Sequence, residues 1–235
     1  MHSLYAMYFT PMIAFDNNMK LGNGIYTVPD LAFILQLPQG KVRRWLNDFY
    51  NVRLGSKYKG KYSWGQGKEK ATNFFTLIEF YVVYKLRENE VGVKTILEAH
   101  QLMSRQLKTV YPFASSEVLT EGKNIFYSTG DDTMLYANKS QQIVIRKAIE
   151  SFCKKIDFSE DRLARRYWPL GKDHEVVVDP LHQFGQPVIS GTNINASVIY
   201  SMYESGEPLQ AIGILFDLTE KQVNDAVAFC QRKAA

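Results

Sequence analysis

The sequence predicts a mainly α-helical protein with small β-hairpins, on three observations. Apolar residues recur at helical intervals through most of the 235 positions. Proline and glycine cut that pattern into segments of ordinary helix length. Short runs of alternating or β-branched residues lie between glycine turns and read as strands. A hydrophobic content of 46%, with 13% aromatic residues, is enough to fill real cores and excludes a disordered chain. The length accommodates two domains. Only Cys153 and Cys230 occur, far apart, which excludes a disulfide framework and fits a reducing cytoplasm. No run reaches the ~18 apolar residues that cross a bilayer, so no membrane partner is expected.

Taken in order, residues 1–22 read as an N-terminal extension. Leu4 to Phe15 is apolar but interrupted by Pro11, and it lacks the flanks of a signal peptide. The first structured unit is expected over residues 23–70. Thr27 is placed to cap a helix with Pro29 in its first turn, where the missing N–H costs nothing. Leu31, Ala32 and Leu35 form its buried stripe, and Leu37-Pro38 ends it. A second helix starts near Gln39 with Val42, Trp45, Leu46 and Phe49 inward, leaving Lys41, Arg43, Arg44 and Asn47 outward. Residues 51–68 then alternate Arg53, Lys57, Lys59 and Lys61 with Leu54, Tyr58, Tyr62 and Trp64 between glycines, which predicts a β-hairpin. Two short helices, a tight turn and a basic hairpin are the parts of a winged helix-turn-helix.

Charge supports the same unit. Nine basic residues against Asp48 and Glu69 make residues 41–70 strongly cationic, whereas the whole chain carries only +4. Local basicity of this kind marks a polyanion-binding face. Double-stranded DNA is the expected partner, contacted by Thr27, Gln39, Lys41, Arg43, Arg44, Asn47, Arg53, Lys57, Lys59 and Lys61. The second helix would enter the major groove and the lysines would rest on phosphates. A homodimer is expected, so that two such helices reach neighbouring grooves.

Residues 71–166 are expected to form a helical middle region with a small β element. Phe74 to Arg87 and Val93 to Val110 read as helices, residues 116–136 as short strands, and Gln141 to Lys155 as a further helix. Residues 167–235 are expected to form a trihelical, helix-turn-helix-like domain behind a strand at Val176–Val178. Its helices are Ala196 to Glu204, Pro208 to Phe216 and Glu220 to Arg232, the last capped by Thr219. Acids outnumber bases between Glu204 and Asp225, so this end points to protein contact rather than DNA.

Catalysis is not expected. His2, His100, His174 and His182 are scattered, and no nucleophile elbow, phosphate loop or metal-binding His/Cys spacing occurs. Asp131-Asp132 and the Asp173, His174, Asp179, His182 neighbourhood read as turn chemistry, so neither a metal nor a cofactor is expected.

The C-terminal stretch resembles the domain of unknown function 433 family. The resemblance rests on Gly185, Pro187, Val188, Ile189, Gly191, Thr192 and Ile194, then Ser205-Gly206-Glu207, then Ile212, Phe216, Leu218, Thr219, Val223 and Ala226. Many members carry Arg where this chain has Asn193. From Tyr26 onward the chain resembles the longer architecture of that family, the VapB-type antitoxins with a MerR-like N-terminal DNA-binding domain. Pro112-Phe113-Ala114, Leu119, Gly122, Ile125-Phe126, Tyr167-Trp168-Pro169 and Val177-Val178-Asp179-Pro180 carry that part. The resemblance implies a toxin partner of PIN-domain ribonuclease type and autoregulation of a shared operon. The alternative is a MerR-like transcriptional regulator without a toxin partner.

Overall fold

The structure, a computed structural model, describes residues 22–116 and 150–232. It is mainly helical with two small antiparallel sheets. Strand β1 (Tyr26–Thr27) leads into helix α1 (Val28–Leu35). Thr27 caps α1 as expected: its backbone N–H and its hydroxyl both donate to Asp30 Oδ2, at 2.8 and 2.6 Å, in a reciprocal capping box. Gln36 closes the helix in the left-handed region, and Leu37 N–H returns to Ala32 O.

The next helical stretch is continuous from Gln39 to Tyr58. It comprises α2 (Gln39–Arg44), a π-helix (Trp45–Leu54) and α3 (Gly55–Tyr58). The hairpin expected over 51–68 is therefore not formed, since residues 51–58 are helical. The reason lies in the spacing. Val42, Leu46, Tyr50 and Leu54 are all buried and fall four residues apart, a wider step than the α-helical 3.6. A π-helical segment keeps such a row on one face. Tyr58 and Tyr62 continue the same interval, so the apparent alternation was a helical period extended past its end. Gly55 is a site of close approach rather than a turn: a Cβ there would lie 2.4 Å from Gly60 O.

Beyond Gly60 the chain forms a closed loop. Trp64 and Ala71 exchange both backbone hydrogen bonds at 3.0 Å, and Ala71–Thr72 forms β2, which pairs antiparallel with β1. Asn73 then caps α4 (Phe74–Glu88) through Thr76 N–H, and α5 (Val93–Leu107) packs beside it. The strands expected beyond Ser116, the Asp131-Asp132 turn and most of the expected 141–155 helix lie outside the described residues. Residues 150–153 are helical.

A four-stranded antiparallel sheet comes next, in the order β3 (Ile156–Phe158), β4 (Ala164–Tyr167), β5 (Val176–Val178), β6 (Pro187–Ile189). Only β5 was legible in the sequence. Pro187 sits on β6, the edge strand, where its missing N–H is harmless. The boundary expected at 166/167 falls inside β4. Three helices complete the chain: α6 (Ala196–Glu204), α7 (Leu209–Phe216) and α8 (Glu220–Gln231), the last capped by Thr219 in a second capping box.

One core runs from Tyr26 through α1, the basic helix, α4 and α5 to Val178, so residues 23–70 share their interior with the middle region. A second core holds Val176, Ile189, Ile199, Ile212, Val223 and Phe229. The two meet at a defined seam. Phe33 of α1 stacks edge-on against Phe229 of α8, with centroids 5.1 Å apart, and Ile25 N–H donates to Phe184 O at 2.9 Å. Gly185, at φ +88°, lies so close to the Tyr26 hydroxyl that a Cβ would come within 2.0 Å of it.

Candidate nucleic-acid interface

The Gln39–Tyr58 helix buries one side and exposes Gln39, Arg43, Arg44, Asp48, Val52, Arg53 and Lys57 on the other. The π-helical stretch widens the step on the exposed side as well. Arg43, Arg44, Arg53 and Lys57 thus line one stripe. None of these four, nor Lys59, makes an ion pair among the described residues. Exposed cations without counter-charges in the protein are available to an external polyanion.

The remaining expected contact residues divide into two groups. Lys59 and Lys61 are exposed beyond the helix end, Lys59 in the left-handed region at φ +53°. Lys41, Asn47 and Thr27 are engaged internally. The Lys41 ammonium lies over the rings of Trp45 and Tyr84, at 5.3 and 4.8 Å from their centroids. Asn47 Oδ1 accepts from Lys70, and the Thr27 hydroxyl is consumed in its capping box. These three shape the face more than they present to it.

Sequence reasoning left out the loop that flanks this face. Residues 64–71 replace the expected hairpin, with Lys68 exposed in its 3-10 turn (Gly67–Glu69). The loop is fixed to the helix by Asn51, which accepts Tyr62 N–H at 2.8 Å and donates to Ser63 Oγ at 2.7 Å, and by the Lys70–Asn47 bond. The nine-cation window contained the signal for Lys68, which the expected contact residues left out. A groove of about 500 Å³ opens between this helix and α4, lined by Lys41, Arg44, Trp45, Phe49 and Tyr84.

The far end of the helix is moored in the core. Tyr58 Oη donates to Ser104 Oγ at 2.8 Å and lies 3.2 Å from His100 Nδ1. His100 Nε2 is 3.1 Å from Glu79 Oε2, both side chains fully buried, close enough for an ion pair though out of line for a hydrogen bond. Glu79 Oε1 accepts Phe113 N–H at 2.8 Å. Burial pushes the Tyr58 hydroxyl up to about 12, so it stays protonated and donating.

In the C-terminal unit and the sheet before it, several charges are paired internally. Arg166 donates to buried Asp179 at 2.8 Å, Lys172 meets Asp157 at 2.6 Å, and Lys221 spans Glu175 and Asp225. His174 Nδ1 lies 2.8 Å from Asp225, and His182 Nδ1 lies 2.9 Å from Asn193 Oδ1. Among the described residues no three His, Cys, Asp or Glu side chains come together as a metal site, and no helix is long and apolar enough to cross a membrane.

The signature residues of this unit have structural tasks. Thr192 Oγ1 donates to Ile189 O and accepts Ile194 N–H, closing the turn after β6, and Gly191 takes φ +78° within it. Residues 176–230 match the family described as "Protein of unknown function (DUF433)". The matched stretch is the C-terminal unit. Over 224 residues the chain is 24% identical to the "Putative antitoxin VapB45" of Mycobacterium tuberculosis (strain ATCC 25618 / H37Rv), covering 86% of this chain and 92% of that protein. The crystal structure of Rv2018 from Mycobacterium tuberculosis matches with a TM-score of 0.68 at 18% identity, over 91% of this chain and 99% of the other. That likeness concerns the fold alone.

Proposed function

We propose that this protein is a cytoplasmic, non-catalytic, DNA-binding antitoxin of a type II toxin–antitoxin pair. The observation that carries the DNA half is the stripe of Arg43, Arg44, Arg53 and Lys57, exposed on one helix and without ion pairs among the described residues. In this reading β1, β2, α1 and the Gln39–Tyr58 helix act as a MerR-like winged helix-turn-helix. The basic helix enters the major groove, and the 59–71 loop serves as the wing with Lys59, Lys61 and Lys68 toward phosphates. A homodimer sets two such helices on neighbouring half-sites. The antitoxin half rests on the likeness over most of the chain to a protein named as an antitoxin, together with the DUF433 unit. A PIN-domain ribonuclease is the partner in this reading.

The test is co-purification with the product of the neighbouring gene, followed by a gel shift on the operon's own promoter. A stable complex that retards promoter DNA supports both halves. Retardation without any partner leaves a MerR-like regulator, and no retardation refutes the assignment of the basic helix.

A further inference from the structure

Alternation along the strands gives the four-stranded sheet two different faces. Tyr167, Val176, Val178 and Ile189 fall on one face and belong to the two cores. Arg166 and Trp168, Val177 and Asp179, and Val188 and Ser190 fall on the other, on or just beyond β4, β5 and β6. There they line a pocket of about 340 Å³, closed by His182 and the turn over 191–193. That volume lies within the range of small-molecule sites.

A merely solvated sheet face would not bury a carboxylate, yet Asp179 is 1% exposed. Its Oδ1 accepts Leu181 N–H at 2.9 Å and its Oδ2 accepts Arg166 Nε at 2.8 Å. A buried ion pair adds little net stability. What this one fixes is the Arg166 guanidinium on the pocket wall. The two terminal nitrogens of Arg166 make no hydrogen bond among the described residues. Pairing therefore cancels the charge at a distance but leaves N–H groups to donate at contact.

The other open groups of the wall are donors too. His182 is held by its N–H to Asp179 O at 3.0 Å and by Gly185 N–H to its carbonyl at 2.8 Å. Its Nδ1 faces Asn193 Oδ1 at 2.9 Å, which leaves the Asn193 amide nitrogen to donate. The backbone N–H groups of Gly191 and Asn193 and the Ser190 hydroxyl make no hydrogen bond among the described residues. Asp179 is the only acid lining the pocket, and both its oxygens are occupied. Open donors beside satisfied acceptors suit an anion. Trp168, Val177 and Val188 make the apolar part of the wall, and Trp168 is fixed by its Nε1 donating to Asp157 at 2.7 Å.

The geometry points to this pocket as a binding site for a nucleoside monophosphate. The phosphate is held by Arg166 and the 190–193 turn, and the base lies against Trp168. Charge-assisted N–H···O bonds and base–indole stacking are the two contacts that such a wall offers. The site lies apart from the basic helix and does not depend on the DNA or toxin reading.

The experiment is calorimetry on the full-length protein with the four ribonucleoside monophosphates, inorganic phosphate and the unphosphorylated nucleosides. At least one monophosphate should bind more tightly than phosphate or its own nucleoside. Arg166→Gln and Asn193→Asp should each weaken it about 10-fold or more, as expected for the loss of a charged contact. Arg166→Gln strands Asp179 and can unfold the sheet. Asn193 is exposed, so Asn193→Asp should keep the melting temperature and the promoter gel shift of the unaltered protein. Failure of every monophosphate to bind overturns the proposal, as does equal affinity for inorganic phosphate. Unchanged nucleotide affinity in Asn193→Asp also overturns it, by placing the nucleotide elsewhere.

Discussion

The basic helix and the DUF433 unit handle charge in opposite ways. Along Gln39–Tyr58 the cations stand apart from carboxylates, and the only acid on the exposed stripe is Asp48. In the C-terminal unit Arg166, Lys172 and Lys221 are all consumed by Asp179, Asp157 and the Glu175–Asp225 pair. Between Glu204 and Glu220 what remains outward is acid and apolar surface. Net charge hides this, since the acidic end offsets part of the basic window in the +4 total. The useful quantity is the number of charges without an internal partner, because an internal pair contributes little to long-range attraction.

The comparison is broken most severely at the seam that joins its halves. Gly185→Ala puts a methyl group against the Tyr26 hydroxyl at a positive φ, and should cost roughly 3 kcal/mol from clash and backbone strain. Chemical denaturation would show it as a lower midpoint, and a midpoint equal to that of the unaltered protein would mean that the seam is loose. Next in size is the basic stripe. Arg43→Ala or Arg44→Ala should cost roughly 1–3 kcal/mol of preference for operator over random DNA where the guanidinium reads a base. Equal losses on both DNAs would assign that arginine to phosphate.

A smaller effect distinguishes the phosphate contacts. Lys57→Ala with Lys59→Ala should weaken binding to every sequence alike and reduce the slope of log affinity against log salt by about 0.9 for each contact removed. An unaltered slope would remove those lysines from the interface. The smallest effect concerns the paired charges of the other end. Burial alone would raise the Asp225 carboxyl. His174, the Glu175 N–H and Lys221 instead hold it below its ordinary value. A depressed folded value contributes stability above the unfolded carboxylate range, at about pH 4, that is lost as pH falls through the folded value. Melting temperature should therefore drop on acidification below about pH 4, and less steeply in Asp225→Asn. Parallel pH profiles for the two proteins would show that the pairing does not matter to folding.

Much of this was legible because it depends on neighbours in sequence. Thr27 and Thr219 announce their helices by a hydroxyl three residues ahead of an Asp or Gln. Val93, Ala196 and Phe74 begin helices where the apolar period begins. The misreadings share one cause. At 51–58 a four-residue interval mimics alternation, because local spacing does not say that Leu54 and Tyr58 face the α4–α5 core. Strands β3, β4 and β6 are three or four residues long, and their pairing, such as Tyr167 with Val178, is settled across the sheet rather than along the chain. The exposure of Ile214 and Leu215 on α7 was likewise hidden, since both look like core residues until the packing leaves them outside.

The seam also has a thermodynamic consequence. Phe33 against Phe229 and Tyr26 against Gly185 tie the folding of the N-terminal basic unit to that of the DUF433 unit. A partner held at a free concentration of one hundred times its Kd raises the unfolding free energy of what it grips by about 2.7 kcal/mol. Across a packed seam that increment reaches the basic helix without any change in its shape. The lifetime of the N-terminal basic unit against proteases would then read out how much of any such partner the other end holds.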